Sequence, residues 1–321
     1  ISFVPPIFLR KAVIIGLLCN PGVAVVNTAL AQEPIPKNTA PQATLFTELQ
    51  RYARLADAAY ESPSHIETVT KEYGYQLDHR ANLPVHEVTY YLATNDAERR
   101  HVVAVRGTAN VNNALVDIDI QLVDDEQTGI RLHRGFAAAA KGIYEKIKPK
   151  LNKDYEIRTT GHSLGGAVAL ILAMYLDSDG YRVDKVVTFG QPKVTNIVGA
   201  KKFSDLDVWR VVTARDLVPV VPPLDPVDIK NLDIYWHLGQ EIILLDETQY
   251  SMTSGVESML RAAGFLSRQL TQKNMQHHRM VSYLALIDQK QGKAQWVPYK
   301  NDFNIFSIFG SDTDNADKAR Q

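Results

Sequence analysis

A serine stands between two glycines in Gly161-His162-Ser163-Leu164-Gly165, a spacing that nucleophilic enzymes use. The residues before it, 155–160, predict a strand, and the apolar run 164–176 predicts a helix. A strand, a sharp turn and a helix in this order are typical of a nucleophile elbow, in which the serine adopts a strained backbone conformation. We therefore interpret Ser163 as a candidate nucleophile rather than as part of an idle glycine turn.

A serine hydroxyl also needs a base and an acid that orients the base. Asp216 follows the predicted strand 208–214 at its carboxyl end, where sites of α/β sheets lie, so we take it as the candidate acid. Downstream of Asp216, His237 adjoins the start of a strand and is expected to make a structural hydrogen bond. His277 and His278 precede an apolar helical run, and adjacent residues point in different directions, so only one of them can be the base.

Two backbone N–H groups are needed to hold the oxyanion that forms during acyl transfer. One is expected from Leu164, directly after the serine, and the other from Thr108, which follows a predicted strand in Arg106-Gly107-Thr108. No spacing among the histidines resembles a zinc motif, so no metal or other cofactor is expected.

The elements that must position these residues alternate along the chain. Five runs rich in Val and Ile predict strands, at 101–106, 155–160, 185–189, 208–214 and 241–245. Helical patterns cover 45–60, 134–151 and 164–176. This alternation predicts an α/β fold with a mostly parallel central sheet that is flanked by helices on both faces.

The charge, the amino-terminal segment and the cysteine content exclude several classes of function. The 321 residues include 35 basic and 36 acidic side chains spread along the chain, which gives no basic surface for nucleic acid. Arg10 and Lys11 precede a short apolar run, and Ala29-Leu30-Ala31 follows, so residues 1–31 are expected to be an export signal rather than a membrane anchor. The single cysteine, Cys19, lies inside that segment, so disulfides and thiol chemistry are excluded from the rest of the chain.

The remaining segments are expected to serve the fold or its edges. Residues 32–42 are polar and contain prolines, as a linker would, and a catalytic domain is expected over 43–309 with a flexible polar tail at 310–321. The segment 248–275 is helical and amphipathic in its second half. It is expected to pad the surface with an apolar underside, or to line an acyl groove.

With these motifs in place, the chain resembles the class 3 (fungal-type, Rhizomucor-like) lipases of the α/β-hydrolase fold. The resemblance runs from about Tyr52 to Ile287 and rests on motifs that occur in the family's order: "VRGT" (105–108), "HRGF" (133–136), "GHSLGGA" (161–167), "TFGQPKVTN" (188–196), "RDLVPVVPP" (215–223) and "HLGQE" (237–241). Lys193 and Thr195 depart from the family pattern within the fourth motif.

The resemblance implies a role for each candidate residue. It makes Ser163 the nucleophile, Asp216 the acid and Thr108 the oxyanion residue, and it favours His278 as the base because "HRMVSYL" (278–284) resembles the ending of some members. Asp117 falls where the family has an acid that braces the oxyanion hydroxyl.

The lid segment departs from the family. Residues 109–121 have Ala114 where many members carry Trp, and their apolar positions are small or interrupted by asparagines. Because lid closure on lipid needs a substantial apolar face, strong interfacial activation is not expected.

The sequence therefore predicts a secreted or periplasmic, monomeric serine ester hydrolase of the lipase or carboxylesterase type. It would act on acyl glycerols or related esters, in part at a lipid–water interface. A phospholipase A-type enzyme or a short-chain esterase with the same triad is an alternative, and a non-catalytic lipid-binding protein is a more distant one. Neither a nucleic acid partner nor a stable transmembrane anchor is expected.

Overall fold

The computed structural model describes residues 42–84, 87–108, 121–222, 233–264 and 275–299. The expected signal at 1–31, residues 109–120 of the expected lid segment with Asp117, and the expected tail at 310–321 lie outside the described residues. Gln42, the last residue of the expected linker, is the first residue of helix α1.

A central sheet carries the site. Within the described residues it has nine strands in the order β1-β2-β3-β6-β7-β9-β11-β12-β13, and the contiguous strands β3, β6, β7, β9 and β11 run parallel. These five strands span Arg100–Val105, Glu156–His162, Arg182–Phe189, Val208–Thr213 and Gln240–Leu244. Each predicted strand is confirmed within a few residues, and the carboxyl ends of all five lie at one edge of the sheet.

Two strands extend the parallel core at each side, and the inner one of each two runs in the opposite direction to it. β2 (Val88–Asn95) runs antiparallel to β3 and pairs with β1 (Gln76–Leu83), while β12 (Gln249–Ser254) runs antiparallel to β11 and pairs with β13 (Gln295–Trp296). Among the described residues, a second, smaller sheet joins four short strands in the order β10-β8-β5-β4. Their bounds are β4 Leu122–Asp125, β5 Ile130–His133, β8 Thr195–Asn196 and β10 Tyr235–Trp236.

Helices cover both faces of the central sheet. Successive residues of a strand point to opposite faces. Val103 and Val105 accordingly join a core cluster with helices α3 (Arg134–Ile147) and α4 (Leu164–Ser178). Val102 and Ala104 pack with α1 (Gln42–Ala58) and α2 (Pro63–Glu72). The helices are α1 Gln42–Ala58, α2 Pro63–Glu72, α3 Arg134–Ile147, α4 Leu164–Ser178, α5 Ile197–Lys202, α6 Gly255–Gly264 and α7 Met280–Asp288.

The fold prediction is confirmed. Helix α4 is buried along nearly its whole length, which explains why its sequence is apolar on every side rather than amphipathic. Because α4 is held between the sheet and α3, its first residue is fixed at the carboxyl edge of the parallel strands. The segment 248–275 begins as strand β12 and helix α6, and its residues 265–274 lie outside the described part.

Candidate active site

Ser163 occupies a sharp corner between β6, which ends at His162, and α4, which begins at Leu164. Its backbone has φ 58° and ψ −132°, a conformation that costs a non-glycine residue roughly 1–3 kcal/mol. The flanking glycines allow the close approach: a Cβ on Gly161 would stand 2.5 Å from the carbonyl oxygen of Gly165, and one on Gly165 would stand 2.3 Å from that of Val105. The elbow that the sequence predicted is therefore present.

Asp216 lies three residues beyond the end of β9 and is fully buried. Its Oδ1 accepts the N–H of Val218 at 2.9 Å, and its Oδ2 lies 2.7 Å from Nδ1 of His278 and 2.5 Å from the hydroxyl of Tyr283. Burial by itself would raise the pKa of Asp216. The neighbouring His278 and the donated hydrogen bonds outweigh burial and hold that pKa below its ordinary value. The carboxylate is thus kept ionised inside the protein.

His278, rather than its neighbour, is the histidine whose ring meets Asp216. It lies two residues before α7, and its side chain is 2% exposed. His277 contributes a backbone carbonyl that accepts the hydroxyl of Thr213 at 3.2 Å. Of the two histidines that the residues alone left open, the structure pairs His278 with the acid.

The serine corner and the acid–histidine pair converge at β7. The N–H of Ser163 donates to the carbonyl of Phe189 at 2.8 Å, and a Cβ on the next residue, Gly190, would lie 2.8 Å from Cε1 of His278 and 2.9 Å from Oδ2 of Asp216. Within the described residues, neither the buried Ser163 Oγ nor the buried His278 Nε2 makes a hydrogen bond. The two atoms that acyl transfer would use are therefore both unengaged.

The loop after β3 lies against the serine. A Cβ on Gly107 would stand 3.0 Å from Cβ of Ser163 and 2.6 Å from the carbonyl oxygen of His162. Thr108 is the next residue and is half-buried, and Leu164 is the first residue of α4, where backbone N–H groups have no partner inside the helix. The structure thus brings the two candidate oxyanion donors to the same corner, while Asp117 lies outside the described residues.

Sequence reasoning missed four residues that shape this site, namely Tyr60, His162, Gly190 and Tyr283. Tyr283 and Gly190 contact the acid–histidine pair, and His162 contacts the backbone of His278. Their signals were present in part, because Gly190, His162 and Tyr283 fall inside recognised motifs. The reason for their residue type became visible only from the contacts.

Buried charges lie behind the loop that carries Asp216. Glu241 pairs with Arg261 at 2.7 Å and with Arg210 at 3.5 Å, and all three side chains are about 1% exposed. Burial alone would raise the pKa of Glu241, but the two guanidinium groups hold it at about 2. His237 places Nε2 2.7 Å from the carbonyl of Pro219, which confirms the structural hydrogen bond expected for it.

The described residues contain no group of three His, Asp or Glu side chains arranged to hold a metal ion. In the same part of the chain, no helix combines the length and apolarity that crossing a membrane requires.

A strained serine corner at the carboxyl edge of a parallel sheet, beside a buried acid–histidine pair, defines the α/β-hydrolase class. Comparisons with known proteins agree. The structure matches the lipase from Rhizopus microsporus var. chinensis with a TM-score of 0.55 and 25% identity, covering 66% of this chain and 81% of that one. It matches the Lip2 lipase from Yarrowia lipolytica with a TM-score of 0.53 and 27% identity, covering 63% and 79%.

The sequence comparisons point to one family. Residues 102–225 match the family model "Lipase (class 3)". A secreted mono- and diacylglycerol lipase of Fusarium solani is 36% identical over 143 residues, which cover 42% of this chain and 43% of that protein. These matches support a class 3 lipase family for this chain, over the part of it that they cover. The chain spans about half the length of the curated relatives it matches, including 55% of a secreted alkaline triacylglycerol lipase of Penicillium cyclopium, to which it is 26% identical over 47% of its own length.

Proposed function

We propose that this chain is a secreted serine hydrolase that cleaves acyl glycerols or related carboxylic esters through an acyl-enzyme. The observation that carries the proposal is the strained, buried Ser163 next to a His278–Asp216 pair whose Nδ1–Oδ2 distance is 2.7 Å. A structural serine has no need of an unfavourable backbone conformation, and strain of this kind persists where the surrounding fold enforces it.

In the first half-reaction, Ser163 Oγ attacks the acyl carbon while Nε2 of His278 takes the hydroxyl proton. Asp216 accepts the Nδ1–H of His278, which fixes the tautomer with Nε2 free and stabilises the imidazolium that forms. The N–H groups of Thr108 and Leu164 hold the oxyanion of the tetrahedral intermediate. The intermediate collapses to the acyl-enzyme, and the departing alkoxide receives the proton from Nε2 and leaves as the alcohol.

In the second half-reaction, water attacks the acyl carbon as His278 takes one of its protons. The second tetrahedral intermediate expels Ser163 Oγ, which recovers that proton, and the carboxylic acid leaves. No metal or redox cofactor takes part in either half. A short-chain esterase or a phospholipase A would follow the same steps with a different acyl or head group.

The family and the names of the secreted lipases from Fusarium and Penicillium support an exported lipid hydrolase. We infer that residues 1–31 direct export and are removed, and that the protein works as a monomer at or near lipid surfaces. Amino-terminal sequencing of the exported protein and its elution volume on size exclusion test these two points. An amino terminus upstream of residue 32, or a dimer, would contradict them.

The activity test compares wild type with Ser163→Ala, Asp216→Asn, His278→Ala and His277→Ala on p-nitrophenyl esters. Loss of a triad serine or histidine costs on the order of a millionfold in kcat, and loss of the acid costs about ten-thousandfold. We expect losses of these sizes at 163, 278 and 216 and near wild-type turnover for His277→Ala. Equal hydrolysis by Ser163→Ala and wild type would refute the proposal.

A substrate series then decides the ester class. Emulsified triacylglycerols, diacylglycerols, phosphatidylcholine vesicles and soluble short-chain esters are offered at matched ester concentration. We expect turnover on acyl glycerols to exceed that on phosphatidylcholine. The reverse preference would assign the phospholipase function, and turnover confined to soluble esters would assign the short-chain esterase.

A further inference from the structure

A chain of hydrogen bonds joins the loop that carries Thr108 to the backbone of His278. The N–H of Gly107 donates to the hydroxyl oxygen of Tyr60 at 3.1 Å, and that hydroxyl lies 2.8 Å from Nδ1 of His162. At the other side of the same ring, Nε2 of His162 lies 2.6 Å from the carbonyl oxygen of His278. Neither Tyr60 nor His162 has a role in the proton transfers described above.

The protons in this series of hydrogen bonds can be placed in only one way. A carbonyl oxygen accepts and never donates, so Nε2 of His162 carries the proton that reaches His278. Burial, together with the neighbouring His278, lowers the pKa of His162 to about 3, so the ring is neutral and its Nδ1 is an acceptor. Tyr60 must then donate to Nδ1, and burial raises the pKa of Tyr60 so that the hydroxyl keeps its proton.

Both ends of this series of hydrogen bonds lie at the reacting groups. Gly107 precedes the proposed oxyanion donor Thr108, and its position is tight enough that an added Cβ would come within 3.0 Å of Ser163 Cβ. The other end is the backbone of His278, whose ring also lies 4.6 Å from the ring of His162, centroid to centroid. The oxyanion loop and the backbone of His278 are therefore linked through one partly buried side chain, Tyr60, and one buried side chain, His162.

We propose that Tyr60 and His162 are positioning residues that hold the oxyanion loop and the catalytic histidine in one fixed relation. The inference rests on the proposed function, because it assigns these residues to the geometry of the same acyl transfer. A purely structural role, in which the bonds only satisfy buried polar atoms, would lower stability without a selective effect on kcat.

The test uses two single variants, their combination and a matched control. Tyr60→Phe keeps the ring and removes the hydroxyl. His162→Asn keeps an amide oxygen near the position of Nδ1 and removes the donor to His278. The control is Tyr52→Phe, since Tyr52 is a buried tyrosine of α1 whose hydroxyl makes no hydrogen bond within the described residues.

We measure kcat and KM on p-nitrophenyl butyrate and inhibition by phenylboronic acid, which forms a tetrahedral anion on the serine. Direct loss of an oxyanion donor costs 10²–10³ in kcat, so loss of its support is expected to cost about tenfold, with KM within about twofold. The boronate inhibition constant should rise by the same factor as kcat/KM falls. Either substitution breaks the same series of hydrogen bonds. The kcat of the double variant should therefore be about equal to that of the single variant with the lower kcat.

Several results would overturn the proposal. These are a kcat for Tyr60→Phe within twofold of that of Tyr52→Phe, single effects that multiply to about a hundredfold in the double variant, or a fall in kcat without weaker boronate binding. Thermal melting identifies a variant that does not fold, and the remaining single variant is then judged by the same criteria. Full turnover by Ser163→Ala would instead remove the proposed function, so the two failures are distinguishable.

Discussion

Replacement of Gly190 by alanine tests how closely the site is packed. Gly190 has φ +61°, and the added Cβ would lie 2.8 Å from Cε1 of His278 and 2.9 Å from Oδ2 of Asp216. Ordinary contacts of this kind begin at 3.4 Å, so the imidazole has to retreat by about 0.6 Å. The left-handed backbone adds a penalty of roughly 1–2 kcal/mol.

A shift of about 1 Å in a reacting group can cost about a hundredfold in rate. We therefore expect kcat of Gly190→Ala on p-nitrophenyl butyrate to fall by about ten- to a hundredfold, or roughly 1.4–2.7 kcal/mol in activation free energy. The matched control is Gly180→Ala. Gly180 has φ +77°, and beyond its chain neighbours the described residues place no atom within 4 Å of the added Cβ, so this variant carries the backbone strain without the crowding.

Both variants should melt at lower temperature, by about 2–4 °C for each kcal/mol of strain, and only Gly190→Ala should lose activity. A kcat for Gly190→Ala within twofold of that for Gly180→Ala would refute the reasoning. Such a result would mean either that His278 and Asp216 move freely or that their position does not limit the rate.

Three further predictions concern buried polar groups. Tyr283→Phe removes one of the hydrogen bonds to the Asp216 carboxylate, so kcat should fall about three- to tenfold at unchanged KM, and an unchanged kcat would contradict this. Glu241→Gln removes the carboxylate that pairs with two buried guanidinium groups. Urea melts at pH 7 should therefore show that the free energy of unfolding falls by about 3–5 kcal/mol. In wild type, the neighbouring guanidinium groups lower the pKa of Glu241 to about 2, so the stability that its ionised form contributes is complete above pH 4.5 and is lost as pH falls to about 2. The free energy of unfolding of Glu241→Gln should lack this contribution to the pH dependence. Burial lowers the pKa of Lys193 to about 7, so wild-type stability should rise from pH 7 toward pH 10. Lys290, whose pKa burial lowers to about 8, adds to this rise, so Lys193→Met should make it shallower, and a rise as steep as that of wild type would contradict the cause.

The sequence predicted the parallel strands and the serine corner because both are encoded locally. Buried parallel strands are continuous apolar runs, and the corner needs small residues at fixed positions around Ser163. The edge strand β1 is half exposed, and its residues, Gln-Leu-Asp-His-Arg-Ala-Asn-Leu, are mostly polar. Its hydrophobic pattern therefore did not predict a strand. The strands of the second sheet are two to four residues long, which is too short for a period to be read.

Contacts between distant segments were beyond sequence reasoning for a different reason. Tyr60 and His162 are 102 residues apart, and Tyr283 and Asp216 are 67 apart. Nothing in the residues near Tyr60 distinguishes its hydroxyl from that of Tyr52. The Tyr60 hydroxyl nevertheless joins the loop at Gly107 to His162 at the end of β6, whereas the Tyr52 hydroxyl makes no hydrogen bond in the described part of the chain. The packing of α1 and of the turn that follows it decides which tyrosine reaches the site.

The loop after Asp216 shows why a lysine is buried near this site. Proline lacks an N–H, so Pro219 and Pro222 reduce what the loop can donate and leave carbonyl oxygens that need donors. Lys193 supplies two of them, since its Nζ donates to the carbonyls of Val220 and Pro222 at 2.7 Å each, while His237 serves the carbonyl of Pro219. An apolar side chain at 193 would spare the cost of burying an amine but would leave those two oxygens unsatisfied. The buried lysine is therefore best explained as support for the segment that fixes the acid.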